Sequence, residues 1–188
     1  MGGLARVLSR LLEILERPKV DVLGLSWGGL LAQQFAHDHP GQVNRLVLCG
    51  TACGLGSVPG DPRALMAMMT PIRSRWVANL LYGRGAVTHA AAFNDFLRLR
   101  GRPSTAGYYG QIARVTGWTS LPWLGRVRAR TLVMAGRRDN VVPPINARIL
   151  AWRLPDARLH WVDDGHLFLM LQPAKCGAVI SDFLTEGT

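Results

Sequence analysis

Three residue types, in a fixed order along this chain, could carry out acyl transfer. Gly24-Leu25-Ser26-Trp27-Gly28 is a G-x-S-x-G run between a short apolar stretch, Val20 to Leu23, and a helix-like segment, Leu30 to His37. A strand that turns sharply into a helix lifts the serine hydroxyl clear of the sheet, and glycines at positions 24 and 28 let strand and helix approach without a Cβ clash. A serine hydroxyl is a weak nucleophile until a base takes its proton. His166, in Asp163-Asp164-Gly165-His166, offers that base, and Asp139, after the apolar run Thr131 to Ala135, offers the carboxylate that would hold the imidazole in one tautomer. The order Ser, Asp, His is the one a nucleophile elbow requires. Each piece also has a plainer reading: a glycine-rich turn, a capping aspartate, a half-buried histidine. Asp163 and Asp164 are rival acids, but so close to the histidine they better suit shaping its loop. Three such residues, each in a loop after a strand-like run, make the Ser26, Asp139, His166 set the better explanation.

The elements that must position them follow from the hydrophobic pattern. Apolar runs predict four parallel strands, at about 20–25, 43–49, 131–135 and 158–162. Pro143 and Pro144 start a helix from Ile145 to Trp152, which leaves Asp139 at the carboxyl end of a strand, where open α/β sheets hold their chemistry. Near the amino end, Leu4, Val7, Leu8, Leu11, Leu12 and Leu15 recur at helical spacing as a core-facing stripe, with Arg6, Arg10, Glu13 and Glu16 mostly opposite. Between Gly54 and Arg126 the strand-helix alternation stops; helical patches such as Arg63 to Met69 and Ala90 to Leu99 fill the gap. The expected organisation is a core of residues 1–53 and 127–188 and a helical cap of residues 54–126.

Four stretches carry a family likeness: Gly24 to Pro40 (GLSWGGLLAQQFAHDHP), Gly107 to Leu124 (GYYGQIARVTGWTSLPWL), Leu150 to Leu154 (LAWRL) and Asp163 to Leu169 (DDGHLFL). On these the chain resembles the α/β-hydrolase superfamily, and closely the intracellular depolymerases of medium-chain-length polyhydroxyalkanoates. The resemblance implies an α/β-hydrolase fold, a partial parallel sheet flanked by helices with an inserted helical cap. It implies hydrolysis of ester bonds in a storage polyester to 3-hydroxy acids, without metal or organic cofactor, and puts Ser26, Asp139 and His166 on the triad motifs. A general carboxylesterase acting on soluble esters is the alternative. A third reading is an inactive hydrolase fragment that binds a partner or a granule.

The oxyanion hole of this fold takes one N–H from the residue after the nucleophile, here Trp27, and one from a loop between an earlier strand and helix. Met1-Gly2-Gly3 leads directly into a helix, so the expectation is a fold without roughly its first third and without that second donor. A misassigned internal start, a fragmentary gene record and a genuine short protein that dimerises or has lost activity would each produce it. The strand before Ser26 is then an exposed edge, with low solubility and little turnover as a monomer.

At 188 residues and 48% hydrophobic, the chain can bury one sizeable core. It has no run of eighteen apolar residues, so no spanning segment is expected. Cys49, Cys53 and Cys176 form an odd count without metal-ligand spacing, which favours reduced thiols in a cytoplasmic protein. The net charge is +10, and nine arginines against Asp61 and Asp95 lie between Gly54 and Arg126. Such a cap could dock on an anionic granule coat or lipid surface; arginine-biased codon usage explains the count equally well. Nucleic acid is disfavoured, because the arginines are scattered and no binding motif accompanies them. The cap's tyrosines, tryptophans and methionines suit an apolar acyl chain, and Trp118, Tyr109 and, beside the histidine, Leu167 are candidate substrate contacts.

Overall fold

A computed structural model of the chain describes residues 1–64 and 104–186. Four parallel strands form one sheet in the order β1 (Val20–Leu25), β2 (Val43–Cys49), β3 (Arg130–Gly136), β4 (Ala157–Val162). Leu23 to Leu25 pair with Val47 to Cys49, and Leu46 to Cys49 pair with Thr131 to Met134. The carboxyl ends of β1, β2 and β3 therefore lie level, and the loops carrying Ser26 and Asp139 leave the sheet at the same rim.

The central strands are apolar on both faces because both faces are covered. Side chains alternate along a strand, so Leu46, Leu48, Val133 and Ala135 join one buried cluster while Val47, Cys49, Leu132 and Met134 join the other. Phe35 and Ala36 of α2 (Trp27–Asp38), with Ala147 and Leu150 of a helix spanning Ile145–Arg153, cover the first face. Phe168 of the short helix Phe168–Leu171, with Cys176 and Phe183 of the helix Pro173–Thr185, covers the second. These helices are numbered below in chain order: α1 (Gly2–Ile14), α2, α3 (Thr105–Val115), α4 (Ile145–Arg153), α5 (Phe168–Leu171) and α6 (Pro173–Thr185).

Two segments that flank the expected cap are tied to each other. Gly54 and Thr119 form an antiparallel bridge, and Leu55 N–H donates to the Trp118 carbonyl while Ser120 N–H donates to that of Cys53. Leu124 and Val127 are buried in the first core cluster, so the return limb packs with the core from before the expected boundary at residue 127. Of the helical patches expected in the cap, Ala90 to Leu99 lies outside the described residues, as does Arg63 to Met69 beyond Ala64. Trp76, Tyr82 and the cap methionines lie outside them too.

The stripe expected on α1 is corrected. Ala5 and Ser9 are the buried residues, and Leu8 and Leu12 pack beside the core, but Val7, Leu11 and Leu15 face solvent together with Ile14. The helix seats one narrow side on α2, and small residues at the contact allow the close approach. Among the described residues β1 pairs only with β2, and Leu23 is 46% exposed on that edge. An exposed apolar helix side and an unpaired strand edge are each a template for association.

All three cysteines are free and buried. Burial, reinforced by the neighbouring Cys176, pushes the Cys49 thiol up to about 12, and burial likewise raises Cys53 and Cys176. The folded chain holds the Cys49 proton after an ordinary thiol of value 9.0 has lost it. This contribution to stability is therefore complete below pH 9 and declines as pH rises towards about 12. Native protein at pH 8 should leave Cys49 unlabelled by iodoacetamide, with all three thiols labelled in guanidinium, read by peptide mass; rapid native labelling of Cys49 would contradict its burial. In sedimentation velocity, the chain should self-associate as concentration rises, and the double substitution Val7→Lys, Leu11→Lys on the exposed side of α1 should reduce that association by about tenfold or more in apparent affinity; an unchanged profile would show that this helix side is not the interface.

Candidate active site

Ser26 occupies the turn between β1 and α2 at φ 52°, ψ −118°, a backbone state that a non-glycine residue holds only under constraint. The constraint is visible. Ser26 N–H donates to the Cys49 carbonyl at 2.8 Å, and the Ser26 carbonyl accepts from Gly29 N–H at 2.9 Å. The turn also needs β1 and α2 to touch. A Cβ on Gly24 would lie 2.6 Å from the Gly28 carbonyl oxygen and 2.8 Å from Ala32 Cβ. The second close approach is not at Gly28, as the motif suggested, since a Cβ there would meet nothing within 4 Å. It is one residue on, at Gly29, where a Cβ would sit 2.5 Å from the Thr51 side chain. Gly28 completes the motif's spelling, and Gly29 carries the steric requirement.

His166 follows β4 and Asp139 follows β3, and the two side chains meet in a buried setting, 5% and 3% exposed. His166 Nδ1 lies 2.7 Å from Asp139 Oδ2, and His166 Nε2 lies 3.0 Å from Ser26 Oγ. A carboxylate can only accept, so Nδ1 carries the hydrogen and Nε2 is left as acceptor for the serine hydroxyl. The other carboxylate oxygen, Oδ1, accepts the N–H groups of Val141 at 2.9 Å and Val142 at 2.8 Å. Three donors thus fix the Asp139 carboxylate, which in turn fixes the ring. The arrangement can move a proton from Ser26 to His166 and leave the resulting imidazolium beside a carboxylate.

The two rival acids have other partners. Asp164 is buried; its Oδ1 accepts Gly165 N–H at 2.7 Å and its Oδ2 accepts Gln172 Nε2 at 2.7 Å. Asp163 accepts Arg138 Nη1 at 2.7 Å, while Nη2 reaches the Asp163 carbonyl and Arg138 N–H reaches that of Asp164. Arg138 and Asp164 therefore tie the acid loop to the histidine loop. On the other flank, fully buried Gln33 donates to the carbonyls of Gly29 and Ala52 and accepts from Ser120 Oγ at 2.7 Å. Arg138, Gln33, Gly29 and Thr51 were not singled out from the sequence; their types are ordinary and only the fold gives them neighbours.

Trp27 is the first residue of α2, so its backbone N–H has no partner within the helix and lies at the positive end of the dipole. Its indole Nε1 donates to the Gln111 carbonyl of α3 at 3.2 Å. Tyr109, two residues earlier on α3, is 47% exposed. Leu167 is buried directly after His166. Trp118 has its own partners: its indole Nε1 donates to Gln34 Oε1 at 2.6 Å and its ring meets Trp123 edge-on at 5.9 Å. Its neighbours are those of a clasp between the insertion neck and α2. Among the described residues no group of three or more His, Cys, Asp or Glu could hold a metal ion, and no helix is long and apolar enough to cross a membrane.

The alpha/beta hydrolase fold family matches residues 1–173. A poly(3-hydroxyalkanoate) depolymerase of Ectopseudomonas oleovorans is 42% identical, over 98% of this chain and 67% of its own length. A 2-hydroxy-6-oxo-6-phenylhexa-2,4-dienoate hydrolase of Comamonas testosteroni is 26% identical over 97% of this chain and 68% of its own. The chain thus spans about two thirds of the length of these relatives. Among solved structures, an enol-lactonase from Burkholderia xenovorans superposes with a TM-score of 0.83 at 23% identity, covering 98% of this chain and 72% of that one. The sheet that levels its loops at one rim, the constrained serine turn and the match across most of the sequence agree: the chain belongs to the α/β-hydrolase fold family and is a hydrolase of the esterase type.

Proposed function

We propose that the chain cleaves the ester bonds of medium-chain-length polyhydroxyalkanoate and releases 3-hydroxy acids, with Ser26 as nucleophile, His166 as general base and acid, and Asp139 as the group that orients the imidazole. The observation that carries the chemistry is the continuous contact from Ser26 Oγ through His166 to Asp139. The observation that favours the polyester is the 42% identity to a depolymerase of that substrate. Ser26 Oγ attacks the ester carbonyl as its proton passes to His166 Nε2, and the carbonyl oxygen becomes an oxyanion held by the Trp27 N–H. The imidazolium then gives its proton to the departing alkoxide, leaving an acyl group on Ser26. A water, deprotonated by the same nitrogen, attacks that acyl carbonyl, and His166 returns the proton to Ser26 as the hydroxy acid leaves.

Leu167 and Tyr109 are assigned to the acyl-chain side of the site, Leu167 because it is buried next to the base and Tyr109 because α3 is tied to Trp27. Trp118 is assigned a supporting part, through its grip on Gln34. The reading places the protein in the cytoplasm at the surface of storage granules.

Ser26→Ala should lower turnover of a medium-chain polyester latex and of 4-nitrophenyl octanoate together by about a thousandfold or more, measured as released acid and as nitrophenolate. Wild-type rates in that variant would remove Ser26 from the mechanism. Activity on the soluble ester with none on the latex would favour a general carboxylesterase. Asp139→Asn keeps the shape but changes the partner of Nδ1, so kcat should fall by roughly a thousandfold to ten-thousandfold with the melting temperature little changed; a loss below tenfold would show that the carboxylate does not set the tautomer.

A further inference from the structure

Thr51 lies outside the three motif stretches that carry the chemistry, yet it touches the nucleophile turn twice. Its Oγ1 donates to the Ser26 carbonyl at 2.8 Å, and the side chain fills the space that Gly29 leaves open. Thr51 is 4% exposed, two residues past the end of β2. The Ser26 carbonyl has two lone pairs; Gly29 N–H takes one and Thr51 takes the other.

The consequence comes from the planarity of the peptide group. In a trans peptide the carbonyl of one residue and the N–H of the next lie in one plane and point in opposite directions. Holding the Ser26 carbonyl therefore aims the Trp27 N–H, directing it outward from the start of α2. Gly29 N–H alone fixes the carbonyl at one bond and leaves the peptide free to tilt about it. The Thr51 hydroxyl supplies the second point, and its contact with Gly29 keeps that point from drifting. We propose that Thr51 is a positioning residue for the oxyanion donor: by gripping the Ser26 carbonyl it holds the Ser26–Trp27 peptide in the plane that presents the Trp27 N–H to the developing negative charge. This rests on the reading of Ser26 as nucleophile. Thr51 touches no reacting atom and acts only through that peptide.

An oxyanion donor is worth most where charge develops and little in the ground state. Misaiming it should therefore lower kcat and leave KM nearly unchanged. The test compares Thr51→Val, which keeps the branched shape without the hydroxyl, with Thr51→Ser, which keeps the hydroxyl. On 4-nitrophenyl octanoate, Thr51→Val should lose about five- to tenfold in kcat with KM within about twofold, and Thr51→Ser should recover most of the loss. Affinity for an alkyl trifluoromethyl ketone, whose adduct with Ser26 carries the same oxyanion, should weaken in Thr51→Val in parallel with kcat. Melting temperatures report the fold; if Thr51→Val does not fold, Thr51→Ala takes its place with the same expectation. Wild-type kcat in the hydroxyl-free variant, an equal loss in Thr51→Ser, or a change in KM instead of kcat would each overturn the role of Thr51. Ser26→Ala, run alongside, separates the two failures. A large loss there keeps the nucleophile reading whatever Thr51 does, and no loss there removes both.

Discussion

The turn at Ser26 is the constraint on which the site depends. A residue with a Cβ held at φ 52° costs on the order of 1–3 kcal/mol, and it persists here because the surroundings leave it no alternative. The backbone is gripped by Cys49, Gly29 and Thr51, and β1 and α2 meet so closely at Gly24 that no side chain fits between them. Relaxing the turn would require separating the strand from the helix, and Phe35 and Ala36 of that helix are buried against the sheet. Core packing thus holds the strain that exposes the hydroxyl.

The same logic extends to the other two loops. Parallel pairing in register brings the ends of β1, β2 and β3 level, so residues 26 and 139 emerge at one rim although more than a hundred residues separate them. His166 arrives from β4 and is fixed by Asp139 on one nitrogen. Asp164, Gln172 and Arg138 supply further ties between the loops. These ties hold the serine hydroxyl, the imidazole and the carboxylate within hydrogen-bond distance of one another.

Much of this was legible in the sequence. The strand runs are short, apolar and β-branched, and the observed strands at residues 20–25 and 43–49 match the expected bounds. Ser26, Asp139 and His166 stand out because their loops follow those strands, and their side chains meet in the structure. What stayed hidden depended on distant parts of the chain. The motif points to Gly28, and only the position of Thr51 shows that Gly29 is the one that must lack a Cβ. The apolar stripe predicted the α1 helix, but α1 leans on α2 by a narrow side and leaves Val7, Leu11 and Leu15 of that stripe exposed. Trp118 reads as a candidate substrate contact because it is aromatic; its hydrogen bond to Gln34 is a tertiary fact that no periodicity announces.

The central claim is that Ser26 forms a covalent acyl intermediate. The most direct measurement is to mix the protein with 4-nitrophenyl octanoate, quench in acid within milliseconds to seconds, digest, and locate the octanoyl group by mass spectrometry. The account predicts an octanoyl adduct on Ser26 that accumulates and then decays with turnover. Hydrolysis of that ester with no adduct at Ser26, or with the acyl group on another residue, would contradict it.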